Sequence, residues 1–166
     1  MTGMEAPLAV LALGAAFLLA RGSHLLAGVL LVASALAISA LLFLPTPLLS
    51  DWAGAERIEV LDRLAGRTLL PAPEWVHIIA FAWLGLLVWL GRGDLRTPRG
   101  IVLVAVFALV AELAQWLADG REPSLWDAAL NVVGGAIGIG IASTWLWAWR
   151  TWRSEVRSTR PCRRGP

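Results

Sequence analysis

The chain of 166 residues is 58% hydrophobic and only 16% charged, with a mean hydropathy of +0.69. These values exclude a soluble globular domain of this size and indicate an integral membrane protein. Its net charge of +2 comes from fourteen arginines and no lysine, and six of the arginines lie in the last seventeen residues. This clustering favours a role in topology and lipid contact over nucleic-acid binding.

The first half of the chain contains two apolar runs and one amphipathic segment. Residues 6–20 are fewer than the roughly 20 that a spanning helix needs, so we expect a short, tilted or partly interfacial segment. Residues 25–44 form an uninterrupted apolar run that is long enough to span, and Pro45 and Pro47 end it. Residues 50–66 have the periodicity of an amphipathic surface helix, which we interpret as a connector.

The apolar runs in the second half of the chain predict three further spans, over residues 73–90, 98–118 and 125–149. The first two begin with proline, whose fixed backbone angle suits the first helical turn. The third follows Ser124 and Asp127, whose spacing matches a capping box. The sequence therefore predicts an all-α polytopic membrane protein with about five transmembrane helices and one amphipathic surface helix on the outer face.

Loop charges predict how the chain crosses the membrane. With five spans, ten arginines fall on one side and four on the other. The positive-inside rule then places the N-terminus outside and the C-terminus in the cytoplasm. We expect residues 1–24 to be an additional N-terminal transmembrane segment, residues 25–149 to be the membrane core, and residues 150–166 to be a basic cytoplasmic tail.

Polar side chains lie inside the apolar spans at one end of the predicted bundle. The third span begins, the fourth ends and the fifth begins at the outer face. At about 1.5 Å per helical residue, Glu112 and Asn131 each lie roughly 9 Å from the nearer end of their helix, so their depths match. The candidate pocket at this depth consists of His77, Glu112, Gln115, Arg121, Asp127 and Asn131.

These polar residues also have structural interpretations. Asp127 fits the capping box as well as it fits a site. Gln115 and Asn131 fit hydrogen bonds between helices, which contribute about 0.6 to 2 kcal/mol each. Glu112 is the hardest to explain in this way, because a carboxyl at this depth must be protonated, paired or hydrated. We therefore favour a site, and expect Glu112→Gln to lose function at normal abundance.

Small residues follow the polar ones along the fifth span. Gly134 and Gly138 are four residues apart, with Gly135 beside them. This spacing is typical of closely packed membrane helices, so we assign the three glycines to helix packing.

Three motifs, PEWVH, AELAQ and GREPSLWDAALNVVGG, occupy the ends of the last three spans. They resemble the pattern of the VanZ-like family of bacterial membrane proteins, which is named for a member associated with teicoplanin resistance. Trp75 stands where that family has a basic residue. The resemblance covers residues 75–140 and, more loosely, residues 25–45. It implies a multi-pass protein of the bacterial cytoplasmic membrane that acts in the cell envelope, and it implies no settled reaction.

Three classes of function fit this pattern. The first is an accessory envelope protein whose outer-leaflet pocket binds a lipid-linked or cell-surface ligand, with Arg121 gripping a phosphate or carboxylate. The second is an intramembrane hydrolase or transferase acting on isoprenoid- or glycan-linked envelope substrates. Its acid or base would be Glu112 or His77, and a metal on His77, Glu112 and Asp127 would activate water. The third, an ion-coupled transporter, is disfavoured because few acids lie at depth and no repeat is visible.

We favour the binding protein, with a possible effect on glycopeptide susceptibility. Its expected partners are membrane lipids and the pocket ligand, without nucleic acid. We assign no cofactor, no metal and no catalytic residue, and the sequence leaves the oligomeric state open.

Overall fold

The computed structural model describes residues 10, 14–15, 17–43, 54–115 and 124–158, and every element in these ranges is helical. The elements are α1 (Leu25–Phe43), α2 (Ala55–Ala65), α3 (Ala72–Gly91), a 3-10 turn (Gly93–Leu95), α4 (Pro98–Gln115) and α5 (Leu125–Ser158). Helices α3, α4 and α5 are each long and apolar enough to cross a membrane. The prediction of an all-α polytopic membrane protein is confirmed.

The helices begin close to the predicted positions. α3 has its proline in the first turn and α4 starts at Pro98. α1 is the second predicted span, while the first predicted span and the surface helix lie partly outside the described residues. α5 differs from the prediction, because it continues past Trp149 to Ser158 and so carries the beginning of the basic segment as helix.

The close approach of α3 and α5 depends on glycine. A Cβ atom added to Gly134 would collide with the carbonyl oxygen of Ile78, and one added to Gly138 would collide with that of Ala82. Glycine at these positions lets the two backbones touch, as in other tightly packed membrane helices. Since the two contacts advance together along both helices, α3 and α5 run parallel.

α4 packs against α5 in the opposite direction. A Cβ atom on Gly135 would lie 2.6 Å from Cγ1 of Val104. Glu112, further along α4, instead reaches the backbone of Ser124, which precedes α5. The start of α3, the end of α4 and the start of α5 therefore meet at one end of the bundle. This polar end comprises residues 74–77, 112–115 and 124–131.

Apolar side chains cover much of the outer surface of the helices. Ile79, Val102 and Leu113 are each more than half exposed, whereas Phe81 and Val88 are buried in the core between helices. A soluble monomer rarely exposes so much apolar surface, so these side chains are suited to contact with lipid.

Arginines close the other end of the bundle. The Arg92 side chain donates to the carbonyl oxygens of Leu18 and Leu19 at 3.2 and 2.9 Å, and it pairs with Asp94 at 2.7 Å. This hydrogen bond raises the pKa of Arg92 and lowers the pKa of Asp94. Arg96 donates to carbonyl oxygens in the last turn of α3, which have no partner within the helix.

Candidate functional site

Four polar side chains at the polar end are almost completely buried, each with 5% or less of its surface exposed. Burial of a polar group is unfavourable unless it forms hydrogen bonds, so the partners of each side chain decide what it can do. The four residues are His77, Glu112, Gln115 and Asn131.

Both carboxyl oxygens of Glu112 accept hydrogen bonds. Oε1 accepts from the backbone N–H of Ser124 at 2.7 Å, and Oε2 accepts from Nε2 of Gln115 at 3.3 Å. The first bond supplies a partner for an N–H group at a helix start, where the helix itself offers none. We call Glu112, Gln115 and Ser124 the latch, because they join the end of α4 to the start of α5.

Ser124 forms only half of the predicted capping box. Its hydroxyl oxygen accepts the backbone N–H of Asp127 at 3.3 Å, as the sequence predicts. Its own N–H is taken by Glu112 from α4, rather than by the carboxyl of Asp127. The Asp127 side chain is therefore available to face α3.

His77 connects α3 to α5. Its Nδ1 atom lies 3.0 Å from Oδ1 of Asn131, so the tautomer with a proton on Nδ1 donates to the amide oxygen. Its Nε2 atom lies 4.0 Å from Oδ2 of Asp127, which is beyond hydrogen-bond length. The Asp127 side chain is 27% exposed, so this group of residues opens to the surface.

Two buried polar atoms at the polar end have no partner among the described residues. They are Nδ2 of Asn131 and Oε2 of Glu74. An unpaired buried donor or acceptor costs about 1 to 3 kcal/mol unless a ligand or solvent meets it. Glu74 lies three residues before His77 in α3, and therefore on the same face. We call Glu74, His77, Asp127 and Asn131 the open cluster: His77 approaches Asn131 and Asp127 directly, and Glu74 belongs to the group by its position one helical turn before His77.

The residues predicted for the pocket from the sequence do not include Glu74, whose carboxyl group has a buried oxygen without a partner among the described residues. The signal that could have identified it is its three-residue spacing from His77. An acidic residue in the first helical turn is readily explained by its favourable interaction with the helix dipole, and this explanation hides a second role.

The predicted pocket residues fall into three groups. Two belong to the latch, three belong to the open cluster, and Arg121 lies outside the described residues. Within the described ranges, no three His, Cys, Asp or Glu side chains are grouped so that they could hold a metal ion. The donor set of His77, Glu112 and Asp127 is therefore not assembled, because the latch holds Glu112 with other partners.

Comparison with known proteins gives one match. Residues 10–147, which include the latch and the open cluster, match the VanZ/LLP1 family model. The chain matches no curated protein and no solved structure.

Proposed function

The chain belongs to the VanZ/LLP1 family, and from this premise we propose that its polar end binds a lipid-linked or cell-surface ligand of the bacterial envelope. The observation that supports this function is the open cluster, which contains two buried polar atoms without partners among the described residues and a partly exposed carboxyl group. Buried polar networks are stable when every member is satisfied. A ligand that forms hydrogen bonds with these two atoms would remove the cost of leaving them unpaired, and this gain would contribute to its binding energy.

The proposed site faces the outside of the cytoplasmic membrane, with the C-terminus in the cytoplasm. The arginine distribution supports this orientation, since Arg92 and Arg96 in the loop between α3 and α4, and Arg99 in the first turn of α4, lie at the end opposite the polar end. A fluorescent protein fused after residue 166 should fold and fluoresce in cells. A periplasmic phosphatase that becomes active at the same position would contradict the orientation.

Arg121 would hold the charged part of the ligand. It lies in the sequence between α4 and α5, and a guanidinium group binds a phosphate or carboxylate with two parallel hydrogen bonds. The latch would support this role by tying the ends of the two helices together.

The test is crosslinking with a photoreactive polyprenyl phosphate in native membranes, followed by mapping of the labelled peptides. We expect labelling between residues 112 and 131, and about tenfold less labelling in Arg121→Lys because a point charge does not replace the bidentate grip. Arg99→Lys, at the opposite end, is the matched control and should label as the wild type does. Labelling confined to lipid-facing positions such as Ile79 and Val102 would count against the site.

The family resemblance supports a second part of the proposal, an effect on glycopeptide susceptibility. Cells that produce the protein should tolerate more teicoplanin than cells that lack it, as measured by the minimal inhibitory concentration. Arg121→Lys, compared at equal membrane abundance, should lose most of this effect. Equal susceptibility with and without the protein would refute this part and leave the binding site to its own test.

A further inference from the structure

We infer that the open cluster binds the hydroxyl groups of a sugar, so that the ligand is a lipid-linked saccharide, and that Glu74 is one of its binding residues. This inference rests on the proposed function and adds the chemical class of the headgroup. It follows from the hydrogen-bonding capacity of the open cluster and from the charges and aromatic side chains of the polar end.

The unpaired atoms suit a ligand that both donates and accepts hydrogen bonds. Nδ2 of Asn131 is a donor and Oε2 of Glu74 is an acceptor when the carboxyl is ionised. An ammonium group only donates and an ionised phosphate only accepts, whereas a hydroxyl group does both. Hydroxyl groups also fit if the Asn131 amide is turned over, because they would then donate to its oxygen.

The charge of the polar end disfavours a phosphate in the open cluster. The described residues of this end include the carboxyl groups of Glu74, Glu112 and Asp127, and contain neither arginine nor lysine. An anion placed among these groups would find no cationic partner among the described residues of this end, and any ionised carboxyl group would repel it in a medium of low dielectric constant. The uncharged part of a headgroup, rather than its phosphate, is therefore the part that fits here.

The polar end also carries two partly exposed tryptophans, each next in sequence to a residue of the open cluster. Trp75 follows Glu74 and is 36% exposed, and its Nε1 atom donates to Oγ1 of Thr68 at 2.9 Å, which fixes the ring. Trp126 precedes Asp127 and is 56% exposed. A sugar ring has apolar C–H faces that stack on an indole and a rim of hydroxyl groups that bind carboxyl and amide side chains. The polar end contains side chains of both kinds, indoles and carboxyl or amide groups.

The experiment compares two photoreactive polyprenyl phosphates that differ only by one attached hexose, using the full chain in membrane vesicles. The ratio of labelling by the two probes at the polar end is measured. We expect the hexose-bearing lipid to label the wild type about tenfold better, since a site built to bind hydroxyl groups rejects an analogue that lacks them. Glu74→Leu and Asn131→Leu should each reduce this preference at least severalfold.

A matched variant separates binding from folding. Glu56→Leu makes the same change at an exposed carboxyl group on α2 and should keep the wild-type ratio. A purely structural role of Glu74 would lower labelling by both lipids and leave the ratio unchanged. Because the ratio is internal to each sample, a variant with reduced abundance still gives a result.

The outcomes distinguish this inference from the proposed function. Equal labelling of the wild-type polar end by the two lipids overturns the sugar assignment and leaves the proposed site standing. A preference that survives in both Glu74→Leu and Asn131→Leu overturns the assignment of these residues. Absence of labelling at the polar end with either lipid overturns the proposed function as well.

Discussion

The latch and the open cluster lie at the same end of the bundle and contain the same kinds of side chain. In the latch, both oxygens of Glu112 have donors, whereas in the open cluster two buried atoms of Glu74 and Asn131 have no partner among the described residues. A satisfied buried polar group stabilises the fold, and an unsatisfied one destabilises it. Unused hydrogen-bonding capacity, rather than burial or charge alone, therefore distinguishes a candidate binding group from a structural one.

The largest effect is expected when the latch is broken. Glu112→Leu removes two acceptors and leaves the N–H of Ser124 and the amide of Gln115 buried without partners. We expect a loss of about 2 to 6 kcal/mol in the free energy of unfolding, because each of the two unpaired groups costs about 1 to 3 kcal/mol. Membrane-fraction abundance and the Tm in detergent should both fall. Wild-type values of both would show that the latch is not structural.

A smaller effect on stability is expected from a change in the open cluster. Asn131→Leu loses the hydrogen bond to His77 but also removes the unpaired Nδ2 atom. These two changes oppose each other, so we expect the free energy of unfolding to change by less than about 1 kcal/mol. Its Tm should lie much closer to the wild type than that of Glu112→Leu. A decrease as large as that of Glu112→Leu would remove the contrast between the two groups.

Glu112→Gln is expected to be nearly silent. The amide oxygen can still accept from Ser124, and the Gln115 amide can turn over to accept from the new nitrogen. The sequence alone leads to the opposite expectation, a loss of function at normal abundance. The change in stability should be below about 0.5 kcal/mol, and lipid labelling should be retained. If Glu112→Gln lost lipid labelling at normal abundance, Glu112 would be a binding residue and not only a structural one.

The smallest effect is expected for the ion pair between Arg92 and Asp94, which lies outside the bundle core. This pair serves as a reference for the latch and the open cluster. Hydrogen bonding from Arg92 lowers the pKa of Asp94. The pair therefore stabilises the fold above the unfolded-state pKa of about 3.9, and this contribution is lost as the pH falls through the lower folded-state pKa. Asp94→Asn should slightly lower the Tm at pH 7 and flatten its dependence on pH below about 4. An identical pH dependence in both proteins would contradict the role of the pair.

The sequence predicts the helices and their meeting point because both depend on local signals. Prolines at helix starts, the length of each apolar run and the spacing of Gly134 and Gly138 are visible without a structure. These features place His77, Glu112 and Asn131 at one end of the bundle, as the structure does. The depth of a residue along a helix follows from its position in the sequence, so this depth can be predicted without a structure.

The division of the predicted pocket into the latch and the open cluster is not visible in the sequence. Whether Glu112 or Asp127 takes the N–H of Ser124 depends on the separation of α4 and α5, and hence on how closely Gly135 and Val104 pack. The prediction of one continuous pocket follows from depth alone, whereas hydrogen-bond partners depend on distances of a few tenths of an ångström.

Because α5 is long and unbroken, a small tilt of this helix moves its far end by a large distance. Its 34 residues extend for roughly 51 Å, whereas a bilayer's hydrocarbon core is only about 30 Å thick. The last turns of this continuous helix therefore extend beyond that core. In these turns the ring centroids of Trp149 and Trp152 lie 5.3 Å apart, and the Arg153 guanidinium lies over the Trp149 ring. A tilt of about 10° at the polar end would displace the far end by roughly 9 Å. A spin label near Arg153 would therefore report a small tilt of α5 as a displacement of several ångströms.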